Sequence, residues 1–235
     1  MSRKECGIVR AVFVLTSLLV LASINAYAGT FFDDFEKEND FWVVDLGEWI
    51  IEEGVYHQTD TTSNGARGLS SHVEGSETWG NDFTIETRVV IFRPGIETHL
   101  EAGIMYKWQN KDNQYHVVLD QNDAIVRINK CVNGTWLQNQ NISMVFDLGE
   151  WHDIKVAVED NRHEIFVDGQ KIQEYEREVD DKDGFIGLKT LGCEASFDDF
   201  RVTGPNVPDS GVGLPVEHAG KLAAAWGGIK AYNKL

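Results

Sequence analysis

Hydrophobic and polar positions exchange in short runs along most of this chain. In FTIETRVVIF (83–92) apolar and polar side chains alternate over the first half, the period of a strand with one buried and one wet face. AGIMYKW (102–108) and YHVVLD (115–120) flank Gln109–Gln114, a polar stretch that predicts a hairpin turn. AIVRINKCV (124–132) runs into Asn133-Gly134, another hairpin signal. WHDIKVAVE (151–159) and HEIFVDG (163–169) are parted by Asp160-Asn161, and the second of them ends in Asp168-Gly169. GFIGLKTL (184–191) and ASFDDFRV (195–202) complete the set. Between Phe31 and Thr203 no long segment carries a helical period. Many short strands with closely spaced turns predict an all-β fold, an antiparallel two-sheet β-sandwich.

The two ends read differently. MSRKECGIVR is basic, an apolar run follows from Ala11 to about Ile24, and Ala26-Tyr27-Ala28 has the small-x-small pattern of a signal peptidase site. Residues 1–28 are therefore expected to be a signal peptide, and the protein to be exported, to the periplasm or beyond the cell. The run is shorter than the roughly 20 apolar residues of a spanning helix, so membrane insertion is not expected. After Val202 the composition changes to TGPNVPDSGVGLP, a Gly/Pro linker. It opens a tail (204–235) that can form a short amphipathic helix with Leu222, Trp226 and Ile229 on one face. The domain proper is placed at 29–203.

With 38 acidic against 21 basic residues and a formal net charge of −17, the chain repels nucleic acid and anionic lipid. Neutral ligands and cations remain as partners. Of three cysteines, Cys6 leaves with the leader. Cys131 and Cys193 remain, to be read either as one disulfide of an exported protein or as two isolated buried thiols.

Two words recur. Phe32-Asp33-Asp34-Phe35 returns as Phe197-Asp198-Asp199-Phe200, and DLGEW stands at 45–49 and 147–151. Their order along the chain is reversed in the second half, which a tandem duplication would not produce. GEWIIEEGVYHQ, AGIMYKWQNKDNQYHVVLD, LGEWHDIKVAVEDNRHEIFVDG and GFIGLKTLGCEASFDDFRV, in this order, resemble the laminin-G-like, concanavalin A-like jelly-roll domains of secreted bacterial proteins, some related to the 3-keto-disaccharide hydrolase domain. The resemblance implies a jelly roll in which the first and last strands, and hence the two FDDF words, are neighbours. It also implies a structural calcium near the termini, with Asp34 and Asp199 as its ligands among four converging carboxylates.

Catalytic signals are poor. A glycosidase needs two carboxyls roughly 5–9.5 Å apart, and laminarinase-like enzymes of this fold carry Glu-x-Asp-x-x-Glu on one strand. Here Glu86 is followed by Arg88 and no second acid. The histidines have no metal-like spacing and no nucleophile elbow is present. VDDKDG (179–184) has Val179 where a calcium loop needs its first acid, and reads as a turn.

For sugar binding, alternation assigns Ile104, Tyr106, Trp108, Tyr115, Val117 and Leu119 to the core. It assigns Lys107, Gln114 and His116 to the outer, concave sheet face, where the resemblance adds Gln58 and Arg67. Trp49 and Trp151 are expected to be core pillars. The function expected is a secreted, non-catalytic carbohydrate-binding module for a polysaccharide or other glycan. The alternatives are a glycoside-processing enzyme of the keto-disaccharide hydrolase type and a protein-binding adhesion domain.

Overall fold

The computed structural model describes residues 28–61, 68–94, 100–176 and 183–212. The leader, Arg67, most of VDDKDG and the tail beyond 212 lie outside the described residues. Sixteen strands are found among those described: β1 Gly29–Asp33, β2 Trp42–Leu46, β3 Trp49–Glu52, β4 Val55–Gln58, β5 Leu69–Val73, β6 Phe83–Pro94, β7 Glu101–Asn110 and β8 Asn113–Asp120. The remainder are β9 Ile125–Val132, β10 Thr135–Ser143, β11 His152–Glu159, β12 Arg162–Val167, β13 Gln170–Glu176, β14 Phe185–Leu191, β15 Cys193–Gly204 and β16 Ser210–Val212.

They form two sheets. One has the order β13-β12-β11-β6-β15-β1-β16, with β4 also on β15 and β3 on β4; the other is β10-β9-β8-β7-β14-β5-β2. All pairings are antiparallel except β1 with β16. Among the described residues no helix is long and apolar enough to cross a membrane.

The alternation read from the sequence is what fills the sandwich. Phe83, Ile85, Val89 and Ile91 of β6 meet Ile104, Tyr106, Tyr115, Val117, Leu119, Val126 and Ile128 of the other sheet in one core. The turns fall at the polar pairs: Asn133 and Gly134, like Asp168 and Gly169, both have positive φ, the primed-turn geometry that matches strand twist. One edge of β15 is shared. β4 pairs with Ala195–Phe197 and β1 with Phe200–Gly204, so the two FDDF words are neighbours through Asp33 opposite Phe200. Phe35, Phe197 and Phe200 are fully buried there. The words are thus a packing motif at the meeting of first and last strands.

Two expectations need correction, and one open alternative is decided. Trp49 is in the core, but Trp151 is half-buried outside it, with the Arg88 guanidinium 4.9 Å above its ring. Cys131 and Cys193 are both free and both buried. Cys193 belongs to the core cluster and its thiol donates to the Glu101 carbonyl at 3.3 Å, whereas Cys131 is out of phase with core-facing Val126 and Ile128. The seven-stranded sheet therefore stands between the two sulfurs. Alkylation after denaturation without reductant should label both cysteines, and reductant should leave the melting temperature unchanged.

The second correction concerns β7. Lys107 has φ 50, and in the pairing with β14 the strand gains one residue between Met105, opposite Gly187, and Trp108, opposite Phe185. A bulge of one residue inverts the alternation beyond it. Trp108, expected in the core, faces outward, and Lys107, expected outside, is 3% exposed and donates to Asn81 in the loop before β6.

Candidate functional site

The outer face of the seven-stranded sheet carries polar groups that are buried. Register aligns a row across five strands: His72 on β5, Gly187 on β14, Met105 on β7, His116 on β8 and Asn129 on β9. A second row runs Ser70, Lys189, Gly103, Val118 and Arg127. Gly103 and Gly187 let strands close up on this face. A Cβ at either would come within 2.3 or 2.2 Å of a neighbouring carbonyl oxygen.

One end of the face is aromatic. Trp108 stacks on His72 with ring centroids 5.2 Å apart, and Phe185 lies 4.2 Å from the same imidazole. His72 Nδ1 sits 2.9 Å from Asp45 Oδ2, which fixes the ring's orientation. These side chains come from β7, β5, β14 and β2, so only the assembled sheet makes the platform.

The other end is polar. His116 and Lys189 are almost fully buried, and the Trp136 indole from the β10 edge packs 5.2 Å from the imidazole and 5.7 Å from the ammonium. Lys189 Nζ lies 3.5 Å from Gln114 Oε1. Burial pulls the Lys189 pKa down to about 8. Burial, then the Lys189 and Arg127 charges, hold His116 well below the usual imidazole value, so it is neutral. Both its ring nitrogens, and Asn129 Oδ1 beside it, are buried without a hydrogen-bond partner among the described residues. Beneath them Arg127 binds Glu101 at 2.8 Å and Asp120 at 2.5 Å, both carboxylates buried.

The expected ligand residues therefore divide. Gln114 and His116 are on this face. Lys107 is not, because of the bulge. Gln58 is not either: it is fully buried between the sheets, accepting from Thr190 Oγ1 and donating to the Asp60 carbonyl. Arg67 lies outside the described residues. Trp108, His72, Phe185, Lys189, Asn129 and Trp136 were not identified as ligand residues. A lone Lys inside GFIGLKTL was the one sequence signal for any of them.

Around Asp198 and Asp199 the chain supplies a positive charge of its own. Asp33 accepts from the Phe35 amide, Asn39 and Trp42, and Arg88 lies 3.4 Å from Asp198, 3.9 Å from Asp199 and 3.9 Å from Asp153. Arg88 supplies the positive charge that a cation would bring. Among the described residues no group of three or more acids, histidines or cysteines is arranged to hold a metal. EDTA and added calcium should both leave the melting temperature unchanged. Burial, then Asp199, raises the Asp198 pKa to about 6. Its folded-state value is thus above the ordinary 3.8, so its stabilising contribution is complete below that value and is lost as pH rises through 6. Asp198→Asn should raise the melting temperature at pH values above 6, and the gain should vanish toward acid pH.

A shallow hollow on the other sheet, lined by Asp82, Thr84, Glu159, Arg162 and Thr203, has no comparable set of buried polar groups.

The profile of the 3-keto-alpha-glucoside-1,2-lyase-like domain matches residues 27–203. The chain belongs to this family. No curated protein matches the sequence. Among solved structures, this 3-keto-alpha-glucoside-1,2-lyase-like domain is similar in fold to the carbohydrate binding module CBM66 from Bacillus subtilis, with TM-score 0.59 and 19% identity over 68% of this chain and 94% of that one. It is also similar to the Bacillus licheniformis beta-glucanase, with TM-score 0.57 and 13% identity over 74% and 97% of the two chains. The GH43 BlXynB protein from Bacillus licheniformis aligns with TM-score 0.54 and 15% identity, over 74% of this chain but 39% of that one. At these identities the likeness is one of fold, a jelly-roll β-sandwich.

Proposed function

We propose that this is a carbohydrate-binding domain whose ligand lies along the outer face of the seven-stranded sheet. The observation that carries it is the Trp108–His72–Phe185 platform beside a row of buried polar side chains. A pyranose has an apolar face that stacks on such rings and an edge of hydroxyls that hydrogen-bond, and this surface offers both. Family membership and the fold shared with CBM66 support a glycan as the ligand, and the acidic surface favours an uncharged one. Electrophoresis in gels containing neutral polysaccharides tests it. Retardation that is lost in Trp108→Ala supports the proposal, and unretarded migration across a broad polysaccharide panel contradicts it.

His116 and Lys189 favour a second reading, the lyase reaction in the family's name. In a 3-keto-glucoside the ketone acidifies the proton on C2. A neutral imidazole at His116 can take that proton while Lys189 steadies the charge growing on the ketone oxygen. The C2–H electron pair then forms the C1=C2 bond, the C1–O bond breaks, and the departing alcohol takes a proton from water. The conjugated product absorbs in the ultraviolet. Its appearance from a 3-keto-glucoside, abolished in His116→Ala, would establish this reading; a flat trace would remove it and leave the binding proposal standing.

A further inference from the structure

The unsatisfied groups on the polar end of the face are specific in what they demand. Neutral His116 presents one N–H donor and one lone-pair acceptor, and Asn129 Oδ1 beside it is a second acceptor. Leaving such groups buried and unpaired costs on the order of 1–3 kcal/mol each. They are opposite one another on β8 and β9, on the ligand face, and the Trp136 indole packs against His116. Trp136 is on an edge strand, is 37% exposed and packs against His116 and Lys189.

We propose that His116 and Asn129 form a subsite for two adjacent hydroxyls of an uncharged pyranose, and that the Trp136 ring is the movable wall that admits it and then stacks on it. The inference rests on the carbohydrate-binding reading and adds to it a position, a selectivity and a gate. Adjacent hydroxyls supply the two donors and one acceptor that the imidazole and the amide oxygen require. A sugar whose hydroxyls are methylated supplies acceptors alone, which oppose both the imidazole lone pair and Asn129 Oδ1, so the subsite requires free hydroxyls. Displacing Trp136 exposes His116 without breaking any core contact, because the indole is not part of the core cluster.

Imidazole nitrogen resonances, assigned by His116→Gln, report on the subsite directly, and the Trp108 indole resonance reports on the platform. Both anomers of methyl glucoside serve as the hydroxylated probes and permethylated glucose as the probe without donors. The glucosides should shift the His116 nitrogens, and permethylated glucose should not. Asn129→Ala and His116→Ala should each weaken that binding about tenfold, while His116→Gln, which keeps a donor and an acceptor, should recover most of it. Trp136→Ala should speed carbethoxylation of His116 by diethyl pyrocarbonate, and the glucosides should slow it again. A shifting Trp108 resonance with silent His116 nitrogens would overturn the subsite and leave the platform reading intact. Silence at both would overturn both. An equal response to permethylated glucose would refute the selectivity.

Discussion

Trp108→Ala should weaken oligosaccharide binding by about 2 kcal/mol, roughly 30-fold, with little change in melting temperature. Trp108 is half-buried against His72 and Phe185 and is not part of the core, so its removal takes away stacking surface without opening a core cavity. Lys107→Ala should do the opposite. It removes the bond to Asn81 and leaves the ligand face intact, so affinity should stay within about twofold while stability falls by about 1 kcal/mol. Isothermal titration with the best polysaccharide fragment, beside thermal unfolding of each variant, separates the two. The contrast between adjacent residues comes from the bulge alone: were β7 regular, Lys107 would face the ligand and Trp108 the core.

The largest stability effect is expected at Arg127. Its guanidinium is the shared partner of Glu101, 4% exposed, and of Asp120, which is completely buried, and it also reaches Asp123 at 2.7 Å. Arg127→Ala would take the shared cation away from two buried carboxylates. Removing one partner of a buried ion pair typically costs about 3–5 kcal/mol, which in a domain of this size lowers the melting temperature on the order of 10 °C. Arg127→Ala combined with Glu101→Gln and Asp120→Asn should recover part of the loss, since neutral side chains cost less to bury than carboxylates. Thermal unfolding of the single and triple variants checks this. A loss near 1 kcal/mol in the single variant would mean that the acids are solvated.

Much of the fold was legible because a strand with one buried face writes its period into the sequence. The hairpins at Asn133-Gly134 and Asp168-Gly169 follow from residues that accept positive φ. The pairing of the FDDF words came through a family resemblance and is realised by β15 holding β4 and β1 along one edge. Less of the site could be read. Nothing in MYKWQ announces a bulge: the residue with positive φ is a lysine, so the alternation that was right through Tyr106 was wrong by one place at Lys107 and Trp108. Gln58 is polar and buried because Thr190 reaches it across the sandwich, a partner 132 positions away that no local pattern reveals. The four carboxylates of the FDDF words were visible in the sequence, but Arg88 beside Asp198 and Asp199 was not, since the pairing of β6 with β15 brings it there.

The central claim is that the seven-stranded sheet carries the ligand face. Hydrogen–deuterium exchange with and without a bound neutral polysaccharide tests it most directly. The expected result is added protection in β5, β7, β8 and β14, with the β11–β13 strands of the other sheet unchanged. Protection confined to β11–β13, or to the hollow around Asp82 and Arg162, would contradict it.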